Sequence, residues 1–251
     1  MPALKPAAPF IFVLSWNRPI YLWVCLDSLY RHTRHDCNIV LADNHSTDPL
    51  VDRVITGFER RDLFYRVHRC ADNDPLRFPK LIEEYSDRIA EYFVLVEADI
   101  EILPVEPCWL TKFVGYMQAD PVLGAVGSCV YQPDFVAMAT ARRLMPDLPE
   151  PDLRSLIKMH APMRHHQPTD EILIEPHNPP LRLLMLRRAV YDQVGFGRDT
   201  EIHERILALG YRSKISTEVF HRHLSLLNIF DYHDFSTADR DGFFDQQLRD
   251  T

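Results

Sequence analysis

The sequence predicts an α/β protein with a parallel sheet of the nucleotide-binding kind across its first hundred residues. Three observations predict it. Apolar runs of strand length alternate with helical stripes at intervals suited to strand–helix–strand crossovers. Each run gives way to a polar or acidic cluster, at the strand ends where ligands bind in open α/β sheets. The 251 residues, 46% of them hydrophobic, are enough to fill a sizeable core in one large domain or two small ones.

The first strand is Phe10 to Ser15, bounded by Pro9 and the polar Trp16-Asn17-Arg18. Pro19 suits the opening of a helix, and Leu22, Cys25, Leu26 and Leu29 form its apolar stripe as far as His32. A second strand, Asn38 to Ala42, ends in Asp43-Asn44-His45-Ser46-Thr47-Asp48-Pro49. This is a turn in which Ser46, Thr47 or Asp48 can cap a helix from about Leu50 to Arg61. Phe64 to His68 reads as a third strand, residues 69–79 as a polar loop, and Lys80 to Ile89 as a helix.

The next run, Tyr92 to Val96, is aromatic and β-branched, as in a strand buried on both faces. It changes abruptly to Glu97-Ala98-Asp99-Ile100-Glu101. Bare carboxylates at a core exit are costly unless paired or bound to a cation. If the extended conformation continues, alternation puts Glu97, Asp99 and Glu101 on one face, a set of oxygens suited to a hard divalent ion. The bland reading is an acidic strand end in solvent.

Beyond residue 103 the pattern loosens. Trp109 to Ala119 predicts a helix, Gly124 to Val130 a strand, Leu181 to Leu186 a strand and Arg188 to Val194 a short helix stopped by Gly195. A helix from Thr200 to Leu209 stops at Gly210, and a strand from Lys214 to Phe220 leads into His221-Arg222-His223. Between Pro133 and Pro180 the chain is rich in proline and carries His160, His165, His166 and His177, a long irregular insert of the kind more often functional than idle. From Asp231 the sequence is acidic and aromatic.

The net charge of −8 argues against a broad nucleic-acid surface, and no uncharged run approaches the roughly 20 residues of a membrane span. The first residues lack the long apolar segment of a signal peptide, so a cytoplasmic protein, free or peripheral to a membrane, is expected. Five scattered cysteines with no Cys-x-x-Cys pair favour reduced thiols over disulfides or a thiolate zinc site.

The segments Val13-Leu14-Ser15-Trp16-Asn17-Arg18-Pro19 and Leu41-Ala42-Asp43-Asn44-His45-Ser46-Thr47-Asp48 resemble the opening of a family 2 glycosyltransferase. Glu97-Ala98-Asp99 is similar to that family's Asp-x-Asp metal motif, and residues 197–211 to its acceptor-side segment. The resemblance spans roughly residues 10–223 and departs from the family at Asn44, His45, Glu97 and Arg198. It implies a single GT-A domain with a Rossmann-type mixed sheet, a nucleotide-sugar half at 1–103 and an acceptor half at 104–251. The implied donor is a nucleoside-diphosphate sugar, most simply uridine diphosphate, and the acceptor a hydroxyl.

The resemblance makes Asp43 the acid facing base or ribose, Asp99 the metal ligand, and Asp199 the base that deprotonates the acceptor for an inverting transfer. His221 or His223 matches a distal histidine at the metal, which would suit Mn²⁺ as well as Mg²⁺. Ser15, Asn17 and Arg18 lie at the same strand ends as Asp43, although turn-forming work explains Asn17 equally well. Arg69 and Arg77 offer planar guanidinia for a diphosphate, with exposed surface charge as the bland alternative. Asp199 could equally be a helix cap.

Two other functions compete. A sugar nucleotidyltransferase would need a Gly-rich phosphate loop near its start, and no glycine occurs before Gly57. A catalytically degenerate module binding nucleotide or carbohydrate would account for the departures from the family pattern.

Overall fold

The computed structural model describes residues 2–131, 139, 142–143, 145–150, 170–175 and 182–224. The histidines His160, His165, His166 and His177 and the stretch from Asp231 lie outside the described residues.

Four strands open the fold: β1 (Phe10–Ser15), β2 (Asn38–Asp43), β3 (Arg66–Arg69) and β4 (Tyr92–Glu97). Between them run α1 (Pro19–His32), α2 (Pro49–Glu59) and α3 (Arg77–Glu84). They are followed by β5 (Ile100–Ile102), α4 (Trp109–Ala119), β6 (Leu123–Val130) and β7 (Leu173–Ile174). The chain continues through β8 (Leu183–Arg187), α5 (Arg188–Val194), α6 (Asp199–Ala208) and β9 (Arg212–His223). All the described strands belong to one mixed sheet, in the order β3-β2-β1-β4-β8-β6-β9-β5, with β7 alongside β9. Strands β1 to β4 pair in parallel, whereas β8 runs antiparallel to both β4 and β6.

Alternation along β1 sorts the core into two layers. Ile11 and Val13 face α1, α2 and α4 through Leu22, Leu26, Ile55, Trp109 and Phe113. Phe10 and Phe12 face α3, α5 and α6 through Phe78, Leu81, Val190 and Ile206. A sheet covered on both faces explains why these strands read as continuous apolar runs.

Three local signals behave differently from expectation. Helix α3 starts at Arg77 rather than Lys80, because Asp74 Oδ1 accepts from Leu76 N at 2.8 Å and opens the turn early. Pro79 then falls in the first turn, where its missing N–H costs nothing. The acidic run after β4 is not one extended strand: Ala98 and Asp99 form a turn, and β5 restarts at Ile100 with Ile100 and Ile102 buried. Strand β7, two residues long, carries no sequence signal.

Candidate active site

The parallel strands end side by side. Ser15 of β1 stands opposite Asp43 of β2, and Leu14 opposite Glu97 of β4. With strands about 4.8 Å apart, Asp43 and Glu97 flank β1 at roughly twice that spacing. Backbone bonds from Asn44 N to Ser15 O (2.7 Å) and from Ala98 N to Leu14 O (3.1 Å) fix both exits. Leu14, Ser15, Trp16, Arg18, Glu97 and Asp99 line a cavity of about 310 Å³ at this mouth.

Asp99 is the acidic centre of the cavity and only 8% exposed. Its Oδ2 lies 3.3 Å from an Arg18 guanidinium nitrogen and 3.1 Å from His223 Nε2. Burial opposes its ionisation, but the positive charges around it, Arg182 and Arg18 among them, outweigh burial and hold the carboxyl well below the usual range. Glu97 goes the other way: burial, then the neighbouring charge of Asp99, push it up to about 7 against the pull of Arg182, with Asp199 adding to the rise. That last effect puts Asp199, the first residue of α6, within electrostatic reach of the same cavity. Burial lowers His223, although the Asp99 contact resists it.

Strand β9 gives the two histidines different neighbours. His223 stands opposite Ile100, next to Asp99, and Leu224 N donates to Asp99 O at 2.8 Å. His221, two residues back, is fully buried and its Nδ1 lies 2.7 Å from Ser128 Oγ. The ring expected as an alternative metal ligand is thus tied to β6 through Nδ1. Glu101 has a partner of its own. The turn at Ala98–Asp99 resets the alternation, and Glu101 reaches across to Arg222 at 3.1 Å.

The turn after β2 is an interlocked bracket. Asn17, at φ 42°, accepts from Thr47 N (2.9 Å) and Asp48 N (3.2 Å) and donates its own N–H to Ser46 Oγ (2.7 Å). Ser46 Oγ donates in turn to Asp43 Oδ1. His45, where the resembled family has glycine, holds φ 68°, so the glycine's backbone shape is kept without the glycine. Asn17 therefore braces the bracket with its side-chain oxygen, the turn-forming role read beside the ligand-binding one.

The two loop arginines do not meet at the cavity. Arg69 pairs with Asp52 at 2.9 Å and Glu59 at 3.1 Å, both on α2. Its place opposite Asp43 gives its backbone, not its guanidinium, to the strand mouth. Arg77 donates to Asn44 Oδ1 at 3.0 Å and pairs with Asp72, bracing residues 70–77 against the β2 turn.

At α6 the cap position belongs to Arg198, whose N–H donates to Glu201 Oε2 at 3.0 Å, leaving Asp199 as the first helical residue. Arg182, just before β8, is a site residue that sequence reasoning missed. Its Nε lies 2.7 Å from His223 Nε2, and its guanidinium 3.7 Å from Glu97 Oε2. Only the antiparallel register of β8 on β4, with Leu183 opposite Val96, could have revealed it. Among the described residues, no group of three or more His, Cys, Asp or Glu side chains converges as a metal cage, and no helix is long and apolar enough to cross a membrane.

No family model and no curated protein matches this sequence. Solved structures do match the fold. A mannosyltransferase from Pyrobaculum calidifontis in complex with GDP-mannose and Mn²⁺ is 17% identical, with a TM-score of 0.57 over 87% of this chain and 57% of that one. GalNAc-T7 with UDP, GalNAc and Mn²⁺ is 12% identical, with a TM-score of 0.59 over 87% of this chain and 44% of that one. A mycobacterial protein, 13% identical, gives a TM-score of 0.52 over 88% of this chain and 70% of that one. This chain thus spans about half the length of the two enzymes. Among the described residues, the mixed sheet of nine strands with six helices on its faces has the GT-A fold of nucleotide-sugar glycosyltransferases.

Proposed function

We propose that the protein is a glycosyltransferase that moves a sugar from a nucleoside-diphosphate donor, a uridine diphosphate sugar on our reading, to an acceptor hydroxyl. The observation that carries this reading is the Asp99–His223 pair at the mouth of a GT-A sheet. The bound ligands of two structures of the same fold, GDP-mannose with Mn²⁺ and UDP with GalNAc and Mn²⁺, support it.

The pair fits a divalent cation. Oδ2 and Nε2 are 3.1 Å apart, about the separation of adjacent ligands on one ion bound at 2.0–2.2 Å. One oxygen and one nitrogen suit Mn²⁺ better than Mg²⁺, and two protein ligands leave room for phosphate oxygens. Such a cation would neutralise charge on the departing diphosphate. Asp43 and Ser15 serve the nucleoside, and the 104–251 half supplies the acceptor side. Asp199 takes the proton of the acceptor hydroxyl as its oxygen bonds to the anomeric carbon and the bond to diphosphate breaks, inverting the centre.

Calorimetric titration with UDP and GDP, with and without Mn²⁺, tests the proposal, together with chromatography of donor hydrolysis. Binding should strengthen with Mn²⁺, slow hydrolysis should appear, and Asp99→Asn should remove the Mn²⁺ effect. Equal binding with and without metal, and no turnover, would instead make the protein a nucleotide-binding module of this fold.

A further inference from the structure

His223 Nε2 is approached from two sides, by Arg182 Nε at 2.7 Å and by Asp99 Oδ2 at 3.1 Å. A guanidinium N–H only donates, so Nε2 spends its single lone pair on Arg182 and the ring proton sits on Nδ1. Two acceptors, Nε2 and a carboxylate oxygen, then face each other at contact distance. Positive charge makes this tolerable: Arg182 on one side, and Arg18 at 3.3 Å from the same Oδ2 on the other. The Arg182 guanidinium also lies 3.7 Å from Glu97 Oε2. Its backbone is fixed, because Glu97 N donates to Arg182 O at 3.2 Å beside the β4–β8 pairing. The lone pair a cation would need is therefore already held by a side chain anchored at the start of β8.

We propose that Arg182 is a resident counter-cation that competes with the divalent metal for His223 and Glu97 and gives them up to meet the donor's diphosphate. Metal and donor then bind as a linked pair. This rests on the glycosyltransferase reading above. A metal ion arriving alone must displace a guanidinium and sit beside it, two positive groups over two carboxylates. A diphosphate changes the balance, since a planar guanidinium exchanges one acceptor for paired phosphate oxygens at little cost. Each ligand then raises the affinity of the other by the same factor.

The test compares wild type with Arg182→Met, which keeps the stem and removes the charge. Mn²⁺ binding without nucleotide is read from the electron paramagnetic resonance signal of the free ion. UDP and GDP binding in EDTA is read by calorimetry, and melting curves check folding. Arg182→Met should bind Mn²⁺ alone at least about tenfold more tightly and bind the nucleotides in EDTA about tenfold more weakly, the size of one charge-assisted hydrogen bond. Arg182→Gln, with the same expectations, serves if the methionine variant does not fold. Unchanged or weakened Mn²⁺ binding, or metal-free nucleotide binding indifferent to the substitution, would overturn this inference alone. If neither protein binds nucleotide with or without Mn²⁺, the glycosyltransferase reading falls, and this inference with it.

Discussion

Around Asp43 the polar side chains answer one another: Asn17 holds the Thr47 and Asp48 amides, Ser46 serves Asp43, and Asn44 meets Asn73 at 2.6 Å and Arg77 at 3.0 Å. Around Asp99, two strands away, charges of both signs are crowded into a partly buried cavity, and two carboxylates are driven in opposite directions, Asp99 down and Glu97 up. Satisfied polar networks rigidify, whereas carboxylates with pKa values pushed apart mark chemistry. The contrast teaches that the first turn is a hydrogen-bonded scaffold, while the second centre holds charges of both signs against one another.

Four substitutions would break or sharpen that contrast. The largest effect is expected from Asp199→Asn, which should cut transfer by about 10²–10⁴-fold with donor affinity unchanged, the range for loss of a general base. Steady-state rates at saturating donor, beside calorimetric binding, would check it; retained transfer would remove Asp199 from the chemistry. Next comes Asn17→Ala, which strips two amide bonds from the bracket. It should cost about 1–3 kcal/mol in urea unfolding, with a smaller effect on the rate at saturating donor.

Glu97 gives a pH signature. Its folded value, about 7, lies above the ordinary 4.5, so its contribution to stability is fully present below pH 4.5 and is lost as the pH rises through 7. Wild type should therefore lose stability relative to Glu97→Gln across that window. The side chain keeps 40% exposure, so solvent screening will make the difference small. Parallel stability curves would show that Glu97 does not titrate abnormally. Smallest of all, Arg69→Ala should lower stability by no more than about 1 kcal/mol, as expected for exposed ion pairs, and leave UDP affinity alone. A fall in UDP affinity would restore Arg69 to the donor site that its sequence position implied.

How much was legible depended on the range of the interaction. Strand β1 and helices α1, α4 and α5 appear where apolar runs and stripes put them, because their signals are local and both sheet faces are covered. The placing of Asp43, Glu97 and Asp99 at strand ends was legible for the same reason. Alternation misled at Glu101, since a two-residue turn is enough to reset a period of two. The different neighbours of His221 and His223 were invisible, because residues two apart share a face and only the pairing with Ile100 separates them. Arg182 was invisible too, its role depending on an antiparallel register formed between segments far apart in the chain.

The closing of the sheet by β9 has a consequence for when the site comes into being. Asp99 and His223 stand 124 positions apart, and β9 is the last described strand. During synthesis the ribosome finishes Asp43, Glu97 and Asp99 long before their imidazole partner emerges. A chain halted before residue 223 can carry much of the nucleotide-side scaffold while lacking the Asp99–His223 pair, so activity should appear abruptly rather than in proportion to length.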